Sequence, residues 1–194
     1  MIEILQQVGG IEWLAVIAGF IYVVLAAREN IWCWPFAFIS TAASMIMLWQ
    51  VSLLMDSALN LFYLVMAVYG YWQWRYGGQD HSHREVQSWP LRYHVLILAS
   101  ILVATILLGY GLAQTTQAAW PYVDSATTVA SVIATFMIAS KVLENWLYWI
   151  VIDIVSVWIY IERGIYLYAA LFVLYTIIAV YGYTQWQRNY TTTR

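Results

Sequence analysis

The sequence predicts an all-α integral membrane protein of seven transmembrane helices, two parallel three-helix repeats joined by a linker helix. Three observations predict it. First, the 194 residues are 63% hydrophobic and 9% charged, with mean hydropathy +0.70. Soluble domains carry about 25% charged residues, so this chain cannot cover a water-facing surface and its solvent is lipid. Second, Ala-Val-Tyr-Gly-Tyr-Trp-Gln-Trp at 67–74 returns as Ala-Val-Tyr-Gly-Tyr-Thr-Gln-Trp at 179–186, and Glu29-Asn30 with Trp34 is answered by Glu144-Asn145 with Trp149. Matched landmarks in the same order mean that the chain holds its own half twice. Third, the cationic residues sort cleanly between the two sides of a membrane once seven spans are drawn.

A membrane helix needs roughly 17–25 mostly apolar residues. The apolar runs place such helices at 11–27, 31–50, 54–74, 92–113, 121–140, 145–161 and 165–186. The connections are tight except for the polar stretch from Arg75 to Pro90, which holds Gly77-Gly78, Asp80, His81, His83 and Arg84 and reads as a loop. Arg28, Arg75, Arg84, Arg92, Lys141, Arg188 and Arg194 then share one side, and Arg163 stands alone on the other. Positive residues stay in the cytoplasm, which puts the N-terminus outside and the C-terminus inside. Residues 1–194 read as a single membrane domain: one repeat over 11–74, the linker helix over 92–113, the second repeat over 121–186. One linker helix between triplets gives both the same orientation, so the repeats are parallel rather than inverted. In so apolar a chain, such a duplication points to a transporter, because a substrate path can form at the seam between repeats.

Other classes are excluded or weakened. No basic run suggests nucleic acid, and the lone Cys33 allows no internal disulfide. The N-terminal segment carries Glu3 and no Lys or Arg, so no cleavable signal is expected. No phosphate-binding glycine loop or nucleophile elbow is present, His81-Ser-His83 is a weak metal pattern, and neither an enzyme, a cofactor nor a metal is expected.

Departures from the repeat mark candidate function. At an offset of 115, Phe38 pairs with Asp153; at 112, Asn60 pairs with Phe172 and Asp56 with Tyr168. Asn145, Trp149, Asp153, Ser156 and Tyr160 share one helix face. Asp153 lies roughly 12 Å in from Asn145, near mid-membrane. A carboxylate there costs about 2.5–3.5 kcal/mol and usually faces a cavity or a partner. It reads as a cation-binding group, with a protonated structural aspartate as the alternative. Trp149 beside it suits a flat or cationic ligand. Asn60, near Asp56 and Tyr63, is either a binding amide or helix–helix glue. Trp32, Trp72, Trp74, Trp89, Trp120 and Trp186 read as interface residues, Gly70 and Gly182 as close-packing positions, and Asp124, Thr128, Ser131 and Thr135 as a packing stripe.

At these residues the chain resembles a known family. The run from Lys141 through Glu144-Asn145-Trp146 and Trp149 to Asp153 and Ser156 is similar to the sixth helix of the PnuC vitamin transporters, and Asn30 to Pro35 with Asp56 to Trp74 is similar to their second and third helices. The resemblance implies a three-plus-one-plus-three arrangement like that of the sugar-transporting SWEET proteins, in a bacterial inner membrane. It implies a facilitator whose vitamin is trapped by a cytoplasmic kinase, and a homotrimer. Asn145, Trp146 and Trp149 would line the pocket. Asn60 stands where nicotinamide riboside carriers tend to show Gln, and Asp153 where they tend to show Asn. Nicotinamide riboside and thiamine, both with cationic rings, fit Asp153; neutral riboflavin fits less well. A sugar carrier and a non-transporting membrane protein remain as rivals. Trp34, Asp56, Tyr63 and Ser156 are expected behind the pocket.

Overall fold

The computed structural model describes residues 9–50, 54–78, 82–115 and 120–192. Among these residues seven helices follow one another: α1 Gly10–Ala27, α2 Cys33–Gln50, α3 Leu54–Tyr76, α4 Leu91–Thr115, α5 Pro121–Ala139, α6 Asn145–Glu162 and α7 Tyr166–Thr192. All seven expected helices are present, mostly within two residues of the expected bounds; α7 runs six residues further, through a polar tail. Five of them (α1, α4, α5, α6 and α7) are long and apolar enough to cross a membrane, and Cys33–Trp49 is a shorter apolar helix. The expected positions Glu3, Asp80, His81 and Arg194 and the side chain of Asp56 lie outside the described residues.

The chain folds as two compact units, 1–85 and 86–194. In the first, α2 packs against both α1 and α3. Close approach of α1 and α2 comes from small residues: Ala15, Ala18, Ala26, Ala37 and Ala43 are buried, and the Ser40 hydroxyl donates to the Ala15 carbonyl across the pair at 2.8 Å. In the second, α4 packs on α5, α5 on α6, and α6 on α7. Pro121 starts α5, where its missing N–H costs nothing. Arg163 closes the far end of α6 by pairing with Asp124 of α5 at 3.9 Å, so Asp124 leaves the expected packing stripe and serves an ion pair.

Three helix ends share one device. After α1, α5 and α6 the chain turns through a left-handed residue: Glu29 (φ 54), Lys141 (φ 51) and Gly164 (φ 71). In each, the following N–H reaches back to the helix: Asn30 to Leu25 O at 2.9 Å, Val142 to Met137 O at 2.9 Å, Ile165 to Tyr160 O at 2.8 Å. This is the Schellman cap, which satisfies carbonyls the helix end leaves open.

Candidate functional site

The turns at 28–32 and 140–144 are the same structure at an offset of 112. Glu29 N–H to Ala26 O (3.0 Å) matches Lys141 N–H to Ile138 O (3.0 Å), and Trp34 N–H to Ile31 O (3.2 Å) matches Trp146 N–H to Leu143 O (3.4 Å). The side chains follow. Trp34 stands edge-on to Trp74 at 5.4 Å and 90°, and Trp146 edge-on to Trp186 at 5.5 Å and 89°. A methyl group at Gly182 would stand 2.7 Å from the Trp146 indole, and one at Gly70 would strike the Trp34 indole. Glycine in α3 and α7 is therefore the seat of a buried tryptophan from the preceding helix.

This register corrects the sequence pairing of α2 with α6. The Glu-Asn-Trp landmark at 115 is a coincidence of letters; structurally Trp34 answers Trp146, Cys33 answers Asn145, and Asp153 answers Thr41 rather than Phe38. It also corrects the placing of Trp74 and Trp186 at the membrane surface. Trp74 is 2% exposed and Trp186 0%, whereas Trp32 and Trp72 are exposed as expected.

On α6, Asn145 opens the helix fully buried, its side-chain amide donating to Val142 O at 2.7 Å. Among the described residues its Oδ1 has no donor, and the indole N–H of Trp146 has no acceptor. Trp149, one turn on, is half-buried. Asp153, two turns from Asn145, is 4% exposed. Among the described residues no ion pair or hydrogen bond reaches its carboxylate. Tyr175 of α7 lies within electrostatic reach of it. Ser156 is buried too, but its hydroxyl donates to its own helix at Ile152 O, 2.8 Å away. The structure thus gathers Asn145, Trp146, Trp149 and Asp153 on one helix, with orphaned polar atoms at its start and an unpaired acid near its middle. Such groups are costly in a dry interior unless a ligand or water meets them.

Trp34, Asn60 and Tyr63 lie in the first unit. Trp34 is 2% exposed, its indole N–H without an acceptor among the described residues, and Tyr22 packs on it at 6.1 Å. Asn60 and Tyr63 are half-buried on α3, and Phe62 stacks edgewise on Tyr63 at 5.5 Å. A groove lined by Trp34, Pro35, Phe38, Ala67, Val68 and Tyr71 lies between α2 and α3; its walls are apolar. Among the described residues no group of three or more metal-ligating side chains occurs.

A family model described as nicotinamide mononucleotide transporter matches residues 9–188. The chain belongs to this family. It is a transporter of the PnuC family and a multi-pass membrane protein, not an enzyme. The nicotinamide riboside transporter PnuC of Escherichia coli is 26% identical over 201 residues, covering 91% of this chain and 84% of that protein. The riboflavin/roseoflavin transporter RibM of Streptomyces davaonensis is 24% identical over 175 residues, covering 88% and 81%. The crystal structure of the vitamin B3 transporter PnuC superposes with a TM-score of 0.69 at 25% identity, over 91% of this chain and 81% of that one.

Three contributors escaped the sequence reading of this PnuC-family chain. Tyr175 was visible only as the repeat partner of Tyr63, and Trp186 as an interface residue. The contacts of Glu144 span more than fifty residues, beyond any local pattern.

Proposed function

We propose that this protein carries a vitamin precursor with a cationic aromatic ring, nicotinamide riboside first and thiamine second, down its gradient across a bacterial inner membrane. The observation that carries the reading is Asp153: buried, on the α6 face with Trp149, and unpaired among the described residues. An acid there needs a cation or a proton. Trp149 and Trp146 flank the ring, Asp153 balances its charge, and Asn145 holds a hydroxyl or amino group. Asn60 is the further substrate contact, carried by the family resemblance. Ser156, on the same face of α6, supports these groups.

The architecture proposed with it is three-plus-one-plus-three: parallel repeats over 11–74 and 121–186, with 92–113 as linker. The matched Trp–Gly–Trp clusters of α2–α3 and α6–α7 favour it. The cationic residues favour an outside N-terminus and a cytoplasmic C-terminus. Phosphorylation by a cytoplasmic kinase gives uptake its direction, and the protein works as a homotrimer; both follow from the resemblance.

The test is thermal unfolding of the purified protein with nicotinamide riboside, thiamine, riboflavin and sucrose, followed by uptake into sealed liposomes. Stabilisation by the two cationic compounds alone, and uptake on the substrate gradient alone, is expected. Stabilisation by riboflavin or sucrose instead would replace the cationic reading. A requirement for an imposed pH gradient would make Asp153 a proton carrier.

A further inference from the structure

The polar stretch before α4 ends as a strap on the turn before α6. Gln87 N–H donates to Lys141 O at 2.9 Å, Leu143 N–H donates to Gln87 O at 2.8 Å, and the Gln87 side chain donates to Ser140 O at 2.9 Å. The next two residues turn to Glu144. The Ser88 hydroxyl donates to one carboxylate oxygen, and the Trp89 N–H donates to the other at 3.2 Å. From α4, His94 brings Nε2 to 3.8 Å from the same carboxylate and Nδ1 to 3.1 Å from the Tyr148 hydroxyl.

All of these contacts fall on residues 140–148, the turn and first helical turn that carry Asn145 and Trp146. Glu144 is the N-cap of α6, yet its carboxylate makes no capping hydrogen bond to its own helix. A cap stabilises a helix locally. Here that use is forgone, and the charge goes to a segment 55 and 56 residues away in sequence. The counterpart turn of the first unit differs: Trp32, which stands where Glu144 does, is 64% exposed, and its N–H bonds the side chain of Asn30.

We propose that Glu144 is a positioning residue for substrate: held by Ser88 and Trp89, with His94 beside it, it sets the first turn of α6 and so the Asn145 and Trp146 side chains. This rests on α6 being the substrate helix. The Asn145 amide is bonded to Val142 O inside the same turn. A turn released from the strap carries that amide, and its open Oδ1, out of place.

The experiment compares Glu144→Ala, Glu144→Gln and Ser88→Ala in the full chain, reading nicotinamide riboside KM and Vmax in liposomes and amide hydrogen exchange over 140–150. Glu144→Ala is expected to raise KM about tenfold, the loss of a charged hydrogen-bond acceptor, with faster exchange at 142–148. Glu144→Gln keeps one oxygen to accept from the Trp89 N–H, while its amide N–H can donate to the Ser88 oxygen, and it is expected to raise KM less than Glu144→Ala. An unchanged KM in Glu144→Ala, or a rise equal to it in Glu144→Gln, overturns the proposal. Should Glu144→Ala not fold, Ser88→Ala decides: a raised KM supports the proposal and an unchanged one overturns it. If the parent protein binds no nicotinamide riboside, the substrate reading fails; the exchange data then decide the clamp separately, unchanged protection overturning it.

Discussion

The indole of Trp146 occupies the space that a side chain at Gly182 would need, 2.7 Å from where its Cβ would stand. Trp34 and Gly70 repeat the relation in the first unit. Gly182→Ala must therefore push back a buried tryptophan that Trp186 already confines from the edge. Overpacking of this kind costs about 1–3 kcal/mol. A lower midpoint of thermal unfolding in detergent is expected for Gly182→Ala and for Gly70→Ala. Gly111, inside α4 with nothing near its missing side chain, is the control. Gly111→Ala should be neutral or stabilising by about 0.5–1 kcal/mol, because alanine loses less freedom in a helix.

Asp153→Asn separates the two readings of the buried acid. Asparagine removes the charge and keeps the shape. If Asp153 balances a cationic ring, the variant folds as well as the parent and binds nicotinamide riboside more weakly but still measurably, by up to about tenfold or ~1.4 kcal/mol, because the amide oxygen keeps a partial charge toward the ring. The shift in unfolding temperature produced by the ligand measures this. Loss of folded protein would show a structural acid instead.

Trp149 is the flat surface beside that acid. Attraction between a cation and an indole face is worth about 0.5–2 kcal/mol. Trp149→Ala should weaken binding of a cationic ring, and Trp149→Phe should recover part of the loss. Isothermal titration with nicotinamide riboside tests the order. Equal losses in the two variants would mean that Trp149 serves packing and not the ring.

The helices were legible because hydropathy delimits them: the apolar runs of α1, α3 and α6 stop where Arg28, Arg75 and Arg163 reach water. The functional face of α6 was legible for a similar reason, since Asp153 is conspicuous in an apolar run. The register between α2 and α6 was not. Three residues turn a helix through about 300°, so a slip of three leaves neighbours on nearly the same face, and letter matches alone do not expose it. What decides the register is backbone: the hydrogen bonds around Glu29 and Lys141. The burial of Trp74 and Trp186 was hidden because a tryptophan at a helix end looks alike whether it meets lipid headgroups or another indole. The strap on Glu144 was hidden because its partners lie more than fifty residues apart.

The three left-handed turns yield a final prediction, on stability. Side-chain-bearing residues in this conformation cost roughly 1–2 kcal/mol, and glycine avoids most of that cost. Only the turn after α6 uses glycine; the other two hold Glu29 and Lys141. Gly164→Ala should therefore destabilise by about 1 kcal/mol although open space surrounds the position, because the cost is backbone strain and not collision. Glu29→Gly should move the other way by a similar or smaller amount. Lys141 is buried against the strapped turn, so Lys141→Gly would gain backbone freedom and lose packing together, which makes Glu29 the cleaner site. Thermal unfolding of the two single variants and their double settles the matter. Glu29 and Gly164 belong to different compact units, so the two effects should add. A destabilising Glu29→Gly would mean that the side chain of Glu29 contributes more to the turn than its strain costs.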